Sequence, residues 1–567
     1  MRLFALAAGV ILASATVTLL LNPDGHSGAM VDVDQHNGGD LPVWLTVTTL
    51  FGLAGASFAL AALPTLRVVT AYLAKRIEGL KPEEVRLSLI SLTIFAFGMA
   101  RVLSLLVMDE RPITDLEMAA SFGGELFANG HASTVAHRLV RDFPITYLHL
   151  WHGRLASGAW LVPQLAWAFG HLTHTGPLVF ALASGLLVGS VGYAVGGLAG
   201  RGYGALAMLF AALSPMQVTL SATSDAHVLS RGAVALVLAF GVAGARHASA
   251  KAWFGAALFA GIAMLSRPVE SALVLGPLAI YAWTARSTLT VSPRRALVAV
   301  AVGAAIPILA FVAHNLAVTG QAHVPPAWAP GFVQAAPTGQ FETPFAERVV
   351  ENAAEATSML AFWLLGPLGL VLVFLGIGTS RLSKALAIGV GLGIVAGIVA
   401  QGRYIRAAGP VPFAECTAPL LVLAGLGVAR AVKWFAARHW DARGFGCVAV
   451  GAMVATLACF SVWNAAKLRE SADAHSRVYA IFERLRIPRS VVLVPPYDAL
   501  LRSFTDTADL ENEVMDWPRP DPNFKNRVLF AKDRPERVEA LRAAFPDRRI
   551  LRLRRVERHS DGMSGVV

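Results

Sequence analysis

Acidic side chains crowd into one short stretch of the chain, MDERPITDLEM, which holds Asp109, Glu110, Asp115 and Glu117. The stretch directly follows an apolar run from Leu87 to Met108 that is long enough to cross a membrane. A carboxylate held where lipid headgroups meet water can take a proton from a hydroxyl group while a second substrate stays in the bilayer. We interpret these acids as a reaction centre. The alternative is a solvated interfacial loop in which Asp109 or Glu110 caps a helix.

Cationic side chains are stranded in or beside apolar segments, where a charge is costly. They are Arg101, Arg267, Arg403 and Arg406. The predicted orientation of the chain in the membrane places them toward the outer leaflet. A guanidinium group at that depth can bind a lipid phosphate, while snorkelling to headgroups is the plain alternative. We favour Arg267 with Glu270, in SRPVE, as the site for a donor phosphate. A structural ion pair between the two is the competing interpretation.

Asp225 and His227 lie in a polar break between two apolar runs, in the sequence SATSDAH. The pair can bind a donor sugar or a divalent ion. An Asp-x-His pattern is weak evidence for a metal, and we favour a helix cap with a hydrogen-bonded histidine over a metal site. We therefore expect no cofactor, with a divalent ion at this position as the open alternative.

The elements that position these residues must be membrane helices. Of the 567 residues, 55% are hydrophobic and only 15% are charged, and the mean hydropathy is +0.57. The net charge of +11 does not indicate nucleic-acid binding, because the basic residues are scattered without an aromatic-studded basic face. Binding to anionic lipid and the excess of positive charge in cytoplasmic loops explain it better. The three cysteines form neither a disulfide framework nor a zinc motif.

The apolar runs predict an α-helical polytopic protein with about thirteen transmembrane helices. The first run can instead be a signal peptide, since Arg2 and Ala13-Ser14-Ala15 fit that pattern loosely. The runs are 3–21, 43–64, 87–108, 177–198, 203–223, 228–245, 253–266, 271–285, 296–313, 359–378, 385–400, 411–429 and 444–463.

The distribution of Lys and Arg predicts the orientation. Loop 22–42 carries aspartates and no Lys or Arg, whereas the connection that follows the second run is rich in both, so the amino terminus is expected in the cytoplasm. Later basic clusters also fall on the cytoplasmic side only if segment 155–172 does not cross the membrane. We interpret this segment as an interfacial or re-entrant helix. Loops 109–154 and 314–358 and the segment from residue 464 are then extracytoplasmic, which predicts chemistry at the outer face of the inner membrane.

Three regions are predicted along the chain. Residues 1–86 form an extra transmembrane hairpin with a cytoplasmic loop, and residues 87–463 form the catalytic membrane domain with its first outer loop, 109–154. Residues 464–567 alternate strand-like segments, such as SVVLVPP and RVLFA, with the helix-like PERVEALRAAF, which predicts a small extracytoplasmic α/β domain. We interpret this domain as a lid or acceptor-binding module. A simple folded appendage is the alternative.

The order of several polar elements resembles a known family. After the acids come FGGELFANGH, HGRLASGAWLVP, the pair SPM and SDAH, then LSRPVE, HNLAVTG and GPVPFAECTAPLLVLAGLG, which contains Glu415. This series, spread over residues 87–553, is similar to that of bacterial integral-membrane glycosyltransferases of the GT-C fold. The likeness is to the branch related to protein O-mannosyltransferases and aminoarabinose lipid A transferase.

The resemblance implies transfer of a sugar, with inversion, from a polyprenyl-phosphate donor to a glycan, lipid or protein acceptor. It implies that Asp115 or Glu117 is the general base and that cations offset the charge on the departing phosphate. The chain departs from the family where an adjacent Asp-Glu pair is expected, because Leu116 and Glu117 hold those places. It also reads Gly409-Pro410-Val411-Pro412 in place of Gly-Pro-Arg-Tyr, with Glu415 retained. We expect the phosphate-binding role to pass to Arg403 or Arg406; a changed activity is the alternative.

Two other classes remain as alternatives. A secondary transporter is expected to show repeat symmetry and broken helices at the bilayer midplane, and the sequence shows no such repeat. A non-catalytic membrane scaffold for cell-envelope assembly would explain the C-terminal segment but not the ordered polar elements.

Overall fold

The computed structural model of the chain describes residues 2–21, 40–66, 68, 81–285, 293–333, 345–400, 408–439, 441–494, 517–553, 555–557 and 564–566. Arg403 and Arg406 lie outside the described residues, so their predicted role stays a prediction.

Helices dominate the described part of the chain, and each of the predicted apolar runs contains one. They are α1 (Arg2–Leu21), α2 (Asp40–Ala61), α3 (Pro82–Leu106), α4 (Asp115–Ala128), α5 (Leu161–Thr173), α6 (Leu178–Ala199), α7 (Arg201–Leu213), α8 (Pro215–Leu220), α9 (Ala226–His247), α10 (Ala250–Met264), α11 (Pro268–Thr284), α12 (Pro293–Thr319), α13 (Phe345–Trp363), α14 (Pro367–Gly376), α15 (Arg381–Ala400), α16 (Thr417–Ala437), α17 (Ala442–Arg484) and α18 (Val538–Ala544).

Length and composition identify membrane-spanning candidates among these helices. Six segments of the described chain are long and apolar enough to cross, and a seventh span is possible if the bent pair α13–α14 counts as one. The six are α3, α6, α9, α12, α15 and the segment Val411–Ala437, which ends with α16. The chain is thus a multi-pass membrane protein, and the total of about thirteen crossings stays a prediction.

Small residues allow the central helices to pack closely. An added Cβ at Gly427 of α16 would lie 1.9 Å from the carbonyl oxygen of Leu372, and one at Gly376 of α14 would lie 2.0 Å from that of Leu423. Neither position can hold a side chain unless the backbones separate, since van der Waals contact requires far greater distances. Glycine is therefore required on both sides of the α14–α16 crossing.

The segment between α3 and α6 folds as one compact unit, which we call the first loop unit (residues 109–173). It contains α4, then an antiparallel sheet of β1 (Thr134–Val135), β3 (Arg154–Ser157) and β2 (Leu148–Trp151) in that order, then α5. Segment 155–172 thus divides between β3 and α5. The 13 residues of α5 are fewer than the ~20 that a spanning helix needs, as expected for a segment that does not cross.

A small parallel sheet forms near the carboxyl end, as predicted from the sequence. Its central strand β4 (Ser490–Val494) lies between β5 (Val528–Lys532) and β6 (Arg549–Arg552), and α18 connects the outer two. We call residues 490–494 and 517–553 the C-terminal unit. A further hairpin, β7 (Arg555–Glu557) with β8 (Ser564–Val566), follows it. The predicted division at residue 463 falls inside α17, which continues to Arg484.

The C-terminal unit and the first loop unit share one hydrophobic core. His137 and Phe143 of the loop pack their rings against Phe524 and Phe545, with centroids 5.0 to 5.9 Å apart. All three phenylalanines are buried in the same cluster, so burial of their large apolar surface stabilises the contact between the two units. This sheet is therefore packed into the fold rather than tethered beside it.

Candidate functional site

The first turn of α4 is organised by a capping box. Thr114 is the N-cap, and its hydroxyl accepts a hydrogen bond from the Glu117 amide at 3.1 Å. In return, Oε2 of Glu117 accepts from the amides of Thr114, at 3.0 Å, and Ile113, at 2.8 Å. The sequence Thr-x-x-Glu forms this arrangement because it satisfies backbone donors that have no partner inside the helix.

The second oxygen of Glu117 connects the loop to the start of α9. Its Oε1 accepts from the amide of Ser224, at 2.8 Å, and from the Ser224 hydroxyl, at 3.2 Å. The Glu117 side chain is almost completely buried, so a carboxylate there requires such donors. Both oxygens thus hold the first turn of α4 against the segment that carries Asp225.

The proton affinity of Glu117 reflects these surroundings. Burial raises the pKa of its carboxyl to about 7, and the negative charge of Asp225 adds to the rise. Hydrogen bonds from the amides of Thr114, Ile113 and Ser224 oppose the change because they favour the ionised form. Glu117 therefore holds its proton more strongly than an exposed glutamate does.

Asp115 lies in the same turn and is also buried, with 4% of its surface exposed. Its Oδ1 lies 3.5 Å from Nη2 of Arg519, which belongs to the C-terminal unit. The same guanidinium nitrogen donates a hydrogen bond to the carbonyl oxygen of Thr146. The candidate carboxylate thus meets a cation that comes from a distant part of the chain.

Asp225 and His227 occupy the start of α9. Asp225 is the N-cap residue, and its carboxylate accepts from the amide of Ala226. His227 is buried, with Nε2 3.1 Å from the Thr223 hydroxyl and Nδ1 3.6 Å from Oδ2 of Asp225. The capping interpretation of this pair is therefore found in the structure, and a donor-sugar role stays a prediction.

Arg267 contacts two further acids, Glu270 and Glu415, near the start of α11. Its Nη2 donates to Oε1 of Glu270 at 2.6 Å, and Nη1 donates to the carbonyl oxygen of Val411 at 2.9 Å. Nη1 also lies 3.5 Å from Oε2 of Glu415, whose other oxygen accepts a hydrogen bond from Ser230. The ion pair between Arg267 and Glu270 is thus present, and it forms part of a larger group of charges.

These groups form one cluster at the adjoining starts of α4, α9 and α11. Arg267 is close enough for its charge to act on both Asp225 and His227. Glu117 reaches the same place through Ser224. Carboxylates and a guanidinium group therefore meet at one site, although they are spread over nearly 300 residues of the sequence, from 117 to 415.

Three other predicted residues lie apart from this cluster, where α3 ends. Arg101 contacts Glu110, and Asp109 forms an ion pair with Arg469 of α17 at 3.2 Å. Asp109 and Glu110 both have left-handed backbones, with φ of 52° and 55°, which is uncommon for residues other than glycine. The structure gives these residues ion pairs, and their catalytic or binding role stays a prediction.

The sequence interpretation missed three residues that the structure places at the site: Ser224, Arg231 and Arg519. Arg231 is fully buried in α9 and donates to the carbonyl oxygens of Met216 and Gln217 and to the Ser221 hydroxyl. A charge inside an apolar run could have identified it. Ser224 belongs to the polar break SATSDAH, which marked the segment but not this residue. No local signal points to Arg519, because its partner Asp115 is far away in the sequence.

The described residues contain no group of three or more His, Cys, Asp or Glu side chains arranged to hold a metal ion. A divalent ion at Asp225 and His227 therefore stays an untested alternative.

Comparison with known proteins gives only distant likenesses. The sequence matches no family model, and no curated protein matches it. The structure is similar to ArnT from Cupriavidus metallidurans, solved with bound undecaprenyl phosphate, at a TM-score of 0.46 and 14% identity over 81% of this chain and 89% of that one. It is also similar to the Archaeoglobus fulgidus oligosaccharyltransferase, solved in complex with Zn and sulfate, at 0.37 and 14% over 63% and 53%.

Both of these proteins are glycosyltransferases of the GT-C fold, the family whose motifs the sequence resembles. Scores in this range describe a partial likeness in the arrangement of helices. What the chain does has to be inferred from its own residues.

Proposed function

We propose that this protein is a membrane glycosyltransferase that moves a sugar from a polyprenyl-phosphate donor to a glycan, lipid or protein acceptor at the extracytoplasmic face. One observation carries the proposal: the first turn of α4, which holds Asp115 and Glu117, contacts the start of α9, where the charge of Arg267 acts on Asp225. Glu117 reaches this place through Ser224, and Arg267 faces Glu270 and Glu415 there. Glycosyl transfer from a lipid phosphate needs a base and a cation, and this site supplies both.

The base we favour is Asp115. Each oxygen of Glu117 already accepts two hydrogen bonds, two from the amides of Ile113 and Thr114 and two from Ser224, so Glu117 is suited to holding the loop in place. Asp115 lies in the same turn and pairs with the guanidinium of Arg519, whose Nη2 is 3.5 Å from Oδ1 of Asp115. An ionised carboxylate is what proton abstraction from an acceptor hydroxyl requires.

The reaction we propose is a single displacement at the anomeric carbon. The acceptor oxygen forms a bond to that carbon as the bond from carbon to the phosphate oxygen breaks, and the configuration inverts. Asp115 takes the hydroxyl proton, and the polyprenyl phosphate leaves with the bonding electrons. Arg267 offsets the charge that grows on the departing phosphate; a guanidinium group carries five N–H donors, enough to serve a phosphate beside its protein partners.

No cofactor is included in this proposal. The chain's own charged groups supply each step, so we expect transfer to proceed equally in EDTA and in added Mg²⁺ or Mn²⁺. If transfer required added metal, an ion near Asp225 and His227 would share the role that we assign to Arg267.

The experiment that tests the proposal is a donor survey. Purified protein in proteoliposomes is given radiolabelled polyprenyl-phosphate hexoses, pentoses and aminopentoses, with membrane extract as the source of acceptors. We expect one donor to be consumed, either by transfer or by slow hydrolysis. Consumption of none across the survey would refute the proposal.

A further inference from the structure

Arg519 is the residue through which the C-terminal unit reaches the proposed base. Its side chain is only 4% exposed, and it bridges Oδ1 of Asp115 and the carbonyl oxygen of Thr146. The contact joins residues separated by 404 positions in the sequence. A long side chain held in one conformation loses much rotational freedom, so the surroundings of Arg519 must fix it.

Packing fixes the segment that carries Arg519. Trp517, two residues earlier, is 2% exposed and stacks on Phe530 of β5, with ring centroids 5.4 Å apart. The same cluster includes Met108 and Ile113, which lie shortly before the first turn of α4 in the sequence. Trp517 thus anchors the chain directly beside the residues that lead into α4.

A second anchor lies on the other side of the first loop unit. Asp142 is 2% exposed, and Nε and Nη2 of Arg537 approach its carboxylate at 2.9 to 3.2 Å. This forked arrangement fixes orientation as well as distance. Because Asp142 precedes Thr146 by only four residues, the anchor also holds the carbonyl group to which Arg519 is bonded.

We propose that Arg519 is a positioning residue for Asp115, and that docking of the C-terminal unit thereby completes the active site. This inference rests on the proposed function only in that Asp115 is the base there. A carboxylate that contacts a fixed guanidinium group is held in one rotamer, which keeps its reactive oxygen aimed at the acceptor. Removing the guanidinium should slow the chemical step without weakening donor binding.

The experiment compares Arg519→Ala and Arg519→Lys with a matched control, Arg542→Ala. Arg542 belongs to the same unit, but it is 61% exposed and pairs only with Glu539 among the described residues. For Arg519→Ala we expect kcat to fall by about 10- to 100-fold while the KM for donor changes by less than about 2-fold. Millimolar guanidinium should restore part of the rate, Arg519→Lys should be intermediate, and Arg542→Ala should equal the wild type.

A readout that needs no activity accompanies the kinetics. Carbodiimide labelling of Asp115, quantified by mass spectrometry, should rise several-fold in Arg519→Ala because the covering side chain is gone, and should be unchanged in Arg542→Ala. Equal labelling in Arg519→Ala and wild type would overturn the inference, and so would an unchanged kcat. If labelling rises but the wild type consumes no donor, the contact is supported and the proposed function fails. Arg519→Lys serves where Arg519→Ala does not fold.

Discussion

Asp115 and Glu117 stand two residues apart, yet their surroundings give them different properties. Glu117 is saturated by hydrogen bonds from Ile113, Thr114 and Ser224, whereas Asp115 faces a guanidinium group from the C-terminal unit. The capping role of Glu117 could be predicted from Thr-x-x-Glu alone. The partner of Asp115 could not, because Arg519 follows it by 404 residues and belongs to another unit.

The raised pKa of Glu117 predicts a pH-dependent contribution to stability. Its folded pKa of about 7 exceeds the usual 4.5, so the stabilisation is complete below pH 4.5 and is lost as pH rises through 7. The loss amounts to about 3 kcal/mol, because each tenfold difference in proton affinity between the folded and unfolded chain is worth about 1.4 kcal/mol. Glu117→Gln cannot titrate, so its melting midpoint in detergent should fall less between pH 5 and pH 8 than that of the wild type.

The amide variant should also melt lower at every pH, because its nitrogen cannot accept the bonds that one carboxylate oxygen accepts. Asp547→Asn, a change at an acid with 56% of its side chain exposed, is the control and should follow the wild type. Identical pH dependence in Glu117→Gln and wild type would show that another group is responsible.

At the scale of elements, local patterns predicted most of what the structure shows. The apolar runs contain helices, and SVVLVPP and RVLFA coincide with two of the three parallel strands, β4 and β5. Run 203–223 is an informative exception, because Pro215 starts a new helix after Ser214 and divides the run into α7 and α8. Proline fixes its own φ and lacks an N–H donor, which favours the first turn of a helix over its interior.

The order of the helices, with the distribution of basic residues between them, also predicts on which side of the membrane each loop lies. Lys251, at the start of α10, belongs to a basic cluster that we place in the cytoplasm, and Arg542 of α18 belongs to the face we place outside. In a variant without the native cysteines, a membrane-impermeant maleimide added to intact cells should label Arg542→Cys and spare Lys251→Cys. The reverse pattern would move the proposed chemistry to the cytoplasmic side.

At the scale of the whole molecule, the C-terminal unit contributes residues that contact the first loop unit at the site. Its aromatic side chains share a core with the first loop unit, and Arg537 and Arg519 contact acids of that unit. The sequence predicted a small α/β domain and left open whether it is a lid or an appendage. Docking depends on contacts between residues hundreds of positions apart, which no local pattern in a single sequence reveals.

The central claim is that a carboxylate of the first loop unit acts as the base in sugar transfer from a lipid phosphate. Its most direct test is the initial rate of donor consumption by Asp115→Asn, compared with wild type and with Asp547→Asn, in the same proteoliposomes. Asp115→Asn should lose about 10²- to 10⁴-fold in rate and fold normally, and Asp547→Asn should lose none. A rate for Asp115→Asn within a few-fold of the wild type would contradict it.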